Sequence, residues 1–181
     1  MNRALRPLLA TTVIFLLAYL AAVLQYPSML STRVLGNFLT DNAFLGIAAV
    51  GMTFVIISGG IDLSVGAVIG FSTVLIATLI MWAGLHPFAA FAITLAVSAG
   101  FGAVMGAAIH YLKVPSFIVT LAGMFLARGG ASVLSPDSIG IKHEVYTAIS
   151  RSYILLPGGG RLTVIGMIML AVFVFGIILA H

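Results

Sequence analysis

Long apolar segments separated by short polar breaks run along the whole chain and predict membrane-spanning helices. A helix rises about 1.5 Å per residue and the hydrocarbon core of a bilayer is about 30 Å thick, so one span needs about 20 apolar residues. Full spans are predicted by this criterion at residues 8–26, 63–83, 88–112 and 162–181, with shorter apolar segments at 43–57 and 115–127 and a loop at 27–42. The pattern therefore predicts an all-α integral membrane protein with about six transmembrane or broken helices.

A single carboxylate interrupts the longest uncharged region, which extends over residues 42–112. Asp62 lies in the stretch Ser58-Gly59-Gly60-Ile61-Asp62-Leu63-Ser64. A charge at the centre of a membrane helix costs roughly 2.5 to 3.5 kcal/mol, so a compensating role is expected. Glycine and serine favour helix ends, and two helices are therefore predicted to meet here at an irregular turn beside a polar cavity.

Two roles remain open for Asp62. Its carboxylate could cap a helix that begins at Leu63, accepting hydrogen bonds from the free amide groups of the first turn, where the helix dipole also favours a negative charge. It could instead face a translocation path, as a hydrogen-bonding group for the ligand or as the ion partner of Arg128. The two roles are compatible with each other.

The apolar segment at residues 115–127 contains a second predicted interruption. Extending it to residue 134 takes in Arg128, Gly129 and Gly130. Short or glycine-broken apolar segments indicate a transport site, because unwound backbone is tolerated only beside protein or a water-filled cavity. Arg128 either serves that path or extends along its aliphatic stem to the membrane surface.

Small residues at four-residue spacing occur in two of the predicted helices. They are Gly66 and Gly70 in one helix, and Ser98, Gly102 and Gly106 in the next. Small side chains let helix backbones approach closely. We therefore expect these glycines to pack against neighbouring helices of the same chain.

The stretch at residues 135–161 is polar enough to form a loop, with room for a short interfacial helix. Arg3 and Arg6 precede the first span and favour a cytoplasmic N-terminus, which places this stretch outside the cytoplasm. The basic residues Lys142, Arg151 and Arg161 count against that orientation.

Composition narrows the class of protein. The chain is 62% hydrophobic and only 7% charged, a balance that a water-soluble domain of 181 residues cannot bury. The net charge of +4 is scattered near segment ends, which indicates membrane anchoring and contact with lipid, with no basic stripe for nucleic acid. The chain has no cysteine, and its histidines show no spacing that would assemble a metal site.

An enzyme is excluded by the absence of catalytic motifs. The sequence contains no phosphate-binding GxxxxGK[ST] loop and no HExxH metal motif. Asp62 is the only acidic residue between Asp41 and Asp137, so a catalytic carboxylate pair is hard to build. The alternatives that remain are a transport subunit, a proton- or cation-coupled transporter or channel with Asp62 as the ion site, and a membrane scaffold.

Two long motifs carry a family resemblance. The stretch from Gly51 to Gly66, GMTFVIISGGIDLSVG, resembles the signature of sugar-importing ABC permeases of the ribose, xylose and galactose group. The stretch PSFIVTLAG at residues 115–123, followed by Arg128 and Gly129, resembles a second recurrent stretch of these proteins. The fragments at residues 39–46 and 156–162 resemble the smaller permease subunit of bacterial galactofuranose importers.

The resemblance implies a membrane subunit of an importer in the bacterial inner membrane. Such a subunit pairs with a second permease, receives a monosaccharide from a periplasmic binding protein, and is driven by separate ATPase subunits that bind ATP and magnesium. It also implies one partial permease domain over residues 1–181, because members of the family run to nearly twice this length, so the chain resembles a truncated or split permease. Within the motifs, the residues expected along the substrate path are Ser58, Asp62, Ser64, Thr120 and Arg128, and Gly59 and Gly60 are expected to break the helix.

Overall fold

The structure, a computed structural model, describes residues 5–180 of the chain, with side chains from residue 9 to residue 179. The predicted orientation rests on Arg3 and on the side chain of Arg6, and both lie outside this description, as does His181.

The described residues form eight α-helices, a single turn of 3₁₀ helix at Pro27–Leu30 and one short β-hairpin. The helices are α1 (Leu5–Gln25), α2 (Thr32–Asp41), α3 (Ala43–Ile57), α4 (Val65–Met81), α5 (Pro87–Leu112), α6 (Ser116–Leu134), α7 (Glu144–Arg151) and α8 (Val164–Ala180). The strands are β1 (Tyr153–Leu155) and β2 (Arg161–Thr163), which pair antiparallel with Ile154 opposite Leu162.

Apolar helices long enough to cross a membrane are present in the described chain. By length and composition, α5 and α6 each qualify alone, and α2 with α3 would make a third span if they act as one broken segment. Three further apolar helices are shorter, at residues 9–25, in α4 and at residues 164–179. The prediction of an all-α membrane protein is confirmed.

Two compact units make up the described chain: residues 5–44 with 152–171, and residues 45–151 with 172–180. In the first unit, α2 lies against the hairpin with almost no space between backbones. A Cβ atom added to Gly36 would overlap the carbonyl oxygen of Arg161, and one added to Gly160 would overlap the carbonyl oxygen of Thr32. A hydrogen bond of 3.0 Å between the hydroxyls of Thr40 and Thr163 also joins α2 to the hairpin.

In the second unit, α4 packs most extensively against α6 and then against α5. A hydrogen bond of 2.9 Å joins the hydroxyls of Ser72 in α4 and Ser98 in α5. Gly130 of α6 leaves room for the ring of Phe71, whose nearest carbon would lie 3.1 Å from an added Cβ. Small residues at these crossings allow the three helices to approach closely, as expected for helix packing in a membrane.

Several predicted boundaries are wrong. The sequence predicts a break near Arg128, but α6 runs without interruption from Ser116 to Leu134. The residues predicted as a loop before α3 include α2. The polar stretch at residues 135–161 contains the short helix that the sequence allowed, α7, but also the strand β1, which was not predicted. α4 begins at Val65, two residues after the predicted start.

The four glycines predicted to pack against neighbouring helices have no close neighbour in the described chain. A Cβ added to Gly66, Gly70, Gly102 or Gly106 would meet no described atom within 4 Å. Four-residue spacing places glycines on one face of a helix, but it does not determine which face meets a neighbour. Gly123 and Gly130 are the glycines of α6 that face neighbouring helices within this unit.

Candidate functional site

The break between α3 and α4 begins with a tight turn at the end of α3. The amide of Gly60 donates to the carbonyl oxygen of Val55 at 3.0 Å, and the hydroxyl of Ser58 donates to the same oxygen at 2.8 Å. Gly59 has φ of +77°, a left-handed conformation that favours glycine because it lacks a Cβ. The prediction that Gly59 and Gly60 end the helix agrees with this geometry.

The extended segment after the turn is hydrogen-bonded to the first turn of α6. The amide of Ile61 donates to Ser116 Oγ at 3.1 Å, and Thr120 Oγ1 donates to the carbonyl oxygen of Ile61 at 3.1 Å. Thr120 is only 4% exposed. Unwound backbone at membrane depth requires partners for its amide and carbonyl groups, and here two side chains of a neighbouring helix supply them.

Asp62 organises the start of α4 through one oxygen. Its Oδ1 accepts hydrogen bonds from the amide of Ser64 at 2.7 Å and from the hydroxyl of Ser64 at 2.6 Å. Ser64 is 1% exposed, and its carbonyl oxygen accepts the first hydrogen bond of α4, from the amide of Val68 at 2.9 Å. Among the described residues, the second carboxylate oxygen of Asp62 has no hydrogen-bond or ion partner.

The observed contacts of Asp62 agree in part with each of the two roles that the sequence left open. The carboxylate does accept a backbone amide beside a helix start, but α4 begins at Val65, so Asp62 precedes the N-cap residue Ser64. It fixes the turn that leads into the helix and does not bond the free amides of the first helical turn. A half-buried carboxylate with one uncommitted oxygen remains available to a ligand.

Arg128 lies away from this cluster. It is on the exposed side of α6, eight residues beyond Thr120, which corresponds to about 12 Å along a helix axis. Its side chain has no hydrogen-bond or ion partner in the described part of the chain. The structure therefore brings Asp62, Ser64 and Thr120 together, places the exposed Ser58 at the edge of the same turn, and does not pair Arg128 with Asp62.

Ser116 is a residue of this site that the sequence analysis did not single out. It lies in the recurrent stretch at residues 115–123, but its hydroxyl bonds the broken segment rather than its own helix end. Its position directly after Pro115, at the start of a helix that resembles a family motif, was the available signal.

A separate cleft of about 500 Å³ lies between α4, α5 and α6. Its walls are mostly apolar side chains and glycines, including Phe71, Phe101 and Met105, and the one polar side chain, Ser98, is hydrogen-bonded to Ser72. None of the five expected path residues lines it. A cleft without free hydrogen-bonding groups does not suit a polar ligand, so it is distinct from the candidate site.

Within the described residues, no group of three histidine, aspartate or glutamate side chains is placed to hold a metal ion. The site therefore offers hydrogen-bonding groups on a broken membrane helix. This arrangement is typical of polytopic membrane transport proteins.

The family of the chain follows from comparison with known proteins. Residues 34–180 match the family model described as the permease component of branched-chain amino acid transport systems, and the chain belongs to this family. It is 54% identical over 97% of its length to the inner membrane ABC transporter permease protein YjfF of Escherichia coli K12. It is also 37% identical over 77% of its length to the fructose import permease protein FruG of Bifidobacterium longum, and 40% identical over 70% to the xylose transport system permease protein XylH of E. coli K12.

The chain spans only part of these relatives, covering 53%, 41% and 34% of their respective lengths. No solved structure matches it. Family membership agrees with the resemblance seen in the two motifs.

Proposed function

We propose that this chain is part of the transmembrane subunit of an ABC importer that moves a monosaccharide across the bacterial inner membrane. The observation that carries the proposal is the 54% identity to an inner membrane ABC transporter permease over nearly the whole chain. Relatives named for fructose, xylose and ribose import support a monosaccharide as the substrate class. Galactofuranose is the first sugar to test, because residues 39–46 and 156–162 resemble permeases of galactofuranose importers.

The proposed partners follow from this role. A separate ATPase subunit binds ATP and magnesium and supplies the energy, and this chain contributes no ATP-binding loop of its own. A second permease subunit forms a heterodimer with this one, and a periplasmic binding protein delivers the sugar. The chain itself provides the membrane path and the helices that contact lipid.

Within that path, the free oxygen of Asp62 is the proposed hydrogen-bond acceptor for a sugar hydroxyl. Ser64 holds the carboxylate through two short bonds, and the exposed Ser58 borders the same turn. Thr120 acts by holding the broken segment, because its hydroxyl is committed to carbonyl oxygens. Weak contacts of this kind suit a translocation site, since tight binding would slow release.

Arg128 is a separate candidate for the path, because it lies exposed on α6 without a partner in the described chain. We expect Arg128→Gln to change the free energy of unfolding by less than about 0.5 kcal/mol, as for other surface substitutions. If Arg128 serves the path, sugar uptake by the assembled importer falls while stability is kept. Wild-type uptake by this variant would remove Arg128 from the path.

The energy source gives the sharpest test of the proposed function. The permease is reconstituted in liposomes with its ATPase, second permease and binding protein, and sugar uptake is measured. We expect uptake to require ATP, to stop with an ATPase variant that cannot hydrolyse ATP, and to persist when the proton gradient is dissipated. Uptake that survives loss of ATP hydrolysis but stops with the gradient would instead indicate a secondary transporter, and partner binding without any sugar flux would indicate a scaffold.

A further inference from the structure

Two histidines outside the candidate site cap two different helices and face each other. His86 precedes α5, and its Nδ1 accepts a hydrogen bond from the amide of Phe88 at 3.4 Å. His143 precedes α7, and its Nδ1 accepts one from the amide of Val145 at 3.2 Å. The two ring centroids are 5.8 Å apart, with the rings nearly perpendicular.

Both caps require a neutral imidazole ring. Nδ1 can accept a hydrogen bond only while it carries no proton, whereas both ring nitrogens of a histidinium are donors. Protonation would therefore set an N–H group against the backbone amide that now donates to it. It would also place a positive charge at a helix N-terminus, where the helix dipole disfavours cations.

The contact between the two rings is a third reason why protonation of these histidines is unfavourable. Two imidazolium rings whose centroids are 5.8 Å apart repel each other, so protonating both opposes the contact that joins them. His86 is exposed and His143 is half-buried, so protons from solvent can reach the pair.

The charged groups around the two histidines do not make protonation favourable. Lys142, Glu144 and Arg151 line a shallow depression with His143, which gives two cations and one carboxylate. The turn between α4 and α5 carries no Asp, Glu, Lys or Arg, and His86 is its only titratable side chain. The adjoining surface of α4 offers Met81, Thr73, Ile76 and Ala77, and α5 offers Phe88 and Phe91, none of which titrates.

We propose that the contact between His86 and His143 is a pH-sensitive junction. At neutral pH it holds the segment between α6 and β1 against the turn between α4 and α5, and in acid it loosens. The ring of Tyr146 still packs on Phe91, with centroids 6.2 Å apart, so acid weakens the junction without removing every contact.

Trp82 provides a local probe for this proposal. It is the one tryptophan of the sequence, and it is the C-cap residue directly after α4, four residues before His86. Trp82 emission is measured on the chain in lipid nanodiscs from pH 8 to pH 5, the interval in which imidazole groups titrate. We expect a reversible change of the emission as the pH falls, and a constant emission would overturn the proposal.

Asparagine variants test whether the pH response comes from the two histidine caps or from other titrating groups. His86→Asn and His143→Asn keep a capping side chain that does not titrate, because asparagine is a favoured N-cap residue. We expect the pH response to be reduced in each variant, to be lost in the double variant, and to be retained in the matched control His110→Asn, which changes a histidine at the far end of α5. A full response in both single variants, or any response in the double variant, would contradict the proposal.

Hydrogen exchange gives a second measurement that needs no substitution. We expect the protection of the Phe88 and Val145 amides, corrected for the intrinsic effect of pH on exchange, to fall about fivefold between pH 8 and pH 5, which is the scale of one lost helix cap. Unchanged protection at both amides would overturn the proposal even if a variant failed to fold.

Discussion

At the scale of single residues, the cost of placing Asp62 in an apolar region is offset locally. One carboxylate oxygen accepts two hydrogen bonds from Ser64, and the charge lies just before a helix N-terminus, where the dipole favours it. The second oxygen is not committed within the described chain. Asp62 therefore combines a structural role and an available acceptor in the same side chain.

These two roles can be separated by substitution. Asp62→Asn keeps a carbonyl oxygen that can accept from Ser64, whereas Asp62→Ala leaves the buried amide and hydroxyl of Ser64 without this partner. We expect Asp62→Ala to lower the free energy of unfolding by about 2 kcal/mol or more, and Asp62→Asn by less than about 1 kcal/mol. Thermal unfolding in detergent measures both.

Transport by the stable variant then tests the ligand role. A hydrogen bond to a charged acceptor is stronger than one to a neutral acceptor by about 1 kcal/mol, so we expect Asp62→Asn to reduce sugar uptake about fivefold in the assembled importer. Uptake at the wild-type rate would restrict Asp62 to its structural role.

At the scale of helices, α6 illustrates why glycine pairs are ambiguous in membrane proteins. Glycine costs only about 1 kcal/mol relative to alanine within a helix, whereas a broken helix exposes backbone groups that cost several kcal/mol each in hydrocarbon. At the α3–α4 break the amide and carbonyl groups of Ile61 have partners on α6, which lowers the cost of unwinding there. α6 continues through Gly129 and Gly130, and Gly130 instead makes room for Phe71.

The link between α6 and the break gives a prediction for Thr120. Thr120→Val keeps the shape of the side chain and removes the hydroxyl that bonds the Ile61 carbonyl group. We expect a loss of about 1 kcal/mol in the free energy of unfolding, because a part-buried hydrogen bond between the two segments is removed. The matched control is Thr53→Val, whose exposed hydroxyl bonds only the Ala49 carbonyl oxygen of its own helix. Equal stability of the two variants would argue against the proposed link.

The contact between α2 and the hairpin gives a prediction for Gly36. A methyl group at this position would overlap the backbone of Arg161, which cannot move aside as a flexible side chain can. We expect Gly36→Ala to cost about 1 to 3 kcal/mol through overpacking. Gly51→Ala, a helical position whose added Cβ meets nothing described within 4 Å, serves as the control and should be neutral or slightly stabilising in the same thermal assay. Equal melting temperatures of the two variants would contradict the close contact.

At the scale of the whole molecule, apolar patterning predicted the class of fold and the α3–α4 break. The span of α3 at residues 43–57 was predicted correctly, because Asn42 and the glycines after Ser58 mark its ends. The hairpin and α2 were not predicted, because they pack against each other and are far apart in the sequence. Nothing in the residues next to Gly36 or Gly160 indicates that another backbone approaches these glycines closely. The partners of the broken segment are similarly distant in sequence, since Ile61 bonds Ser116 and Thr120.

We propose that the α3–α4 break belongs to a water-accessible sugar path and that the apolar cleft between α4, α5 and α6 does not. The sequence contains no cysteine, so single cysteines can be labelled without background. Ser58→Cys reports on the break, and Val104→Cys, in the wall of the apolar cleft and 70% exposed, is the matched control. Thiols react as thiolates, which form readily only where water is present.

The most direct measurement is therefore the labelling of these two cysteines by a membrane-impermeant thiol reagent in the assembled importer, with and without sugar. We expect the cysteine at position 58 to react, its reaction to slow when sugar is present, and the cysteine at position 104 to remain unlabelled. An unreactive position 58, or equal labelling of both positions with no protection by sugar, would contradict the account.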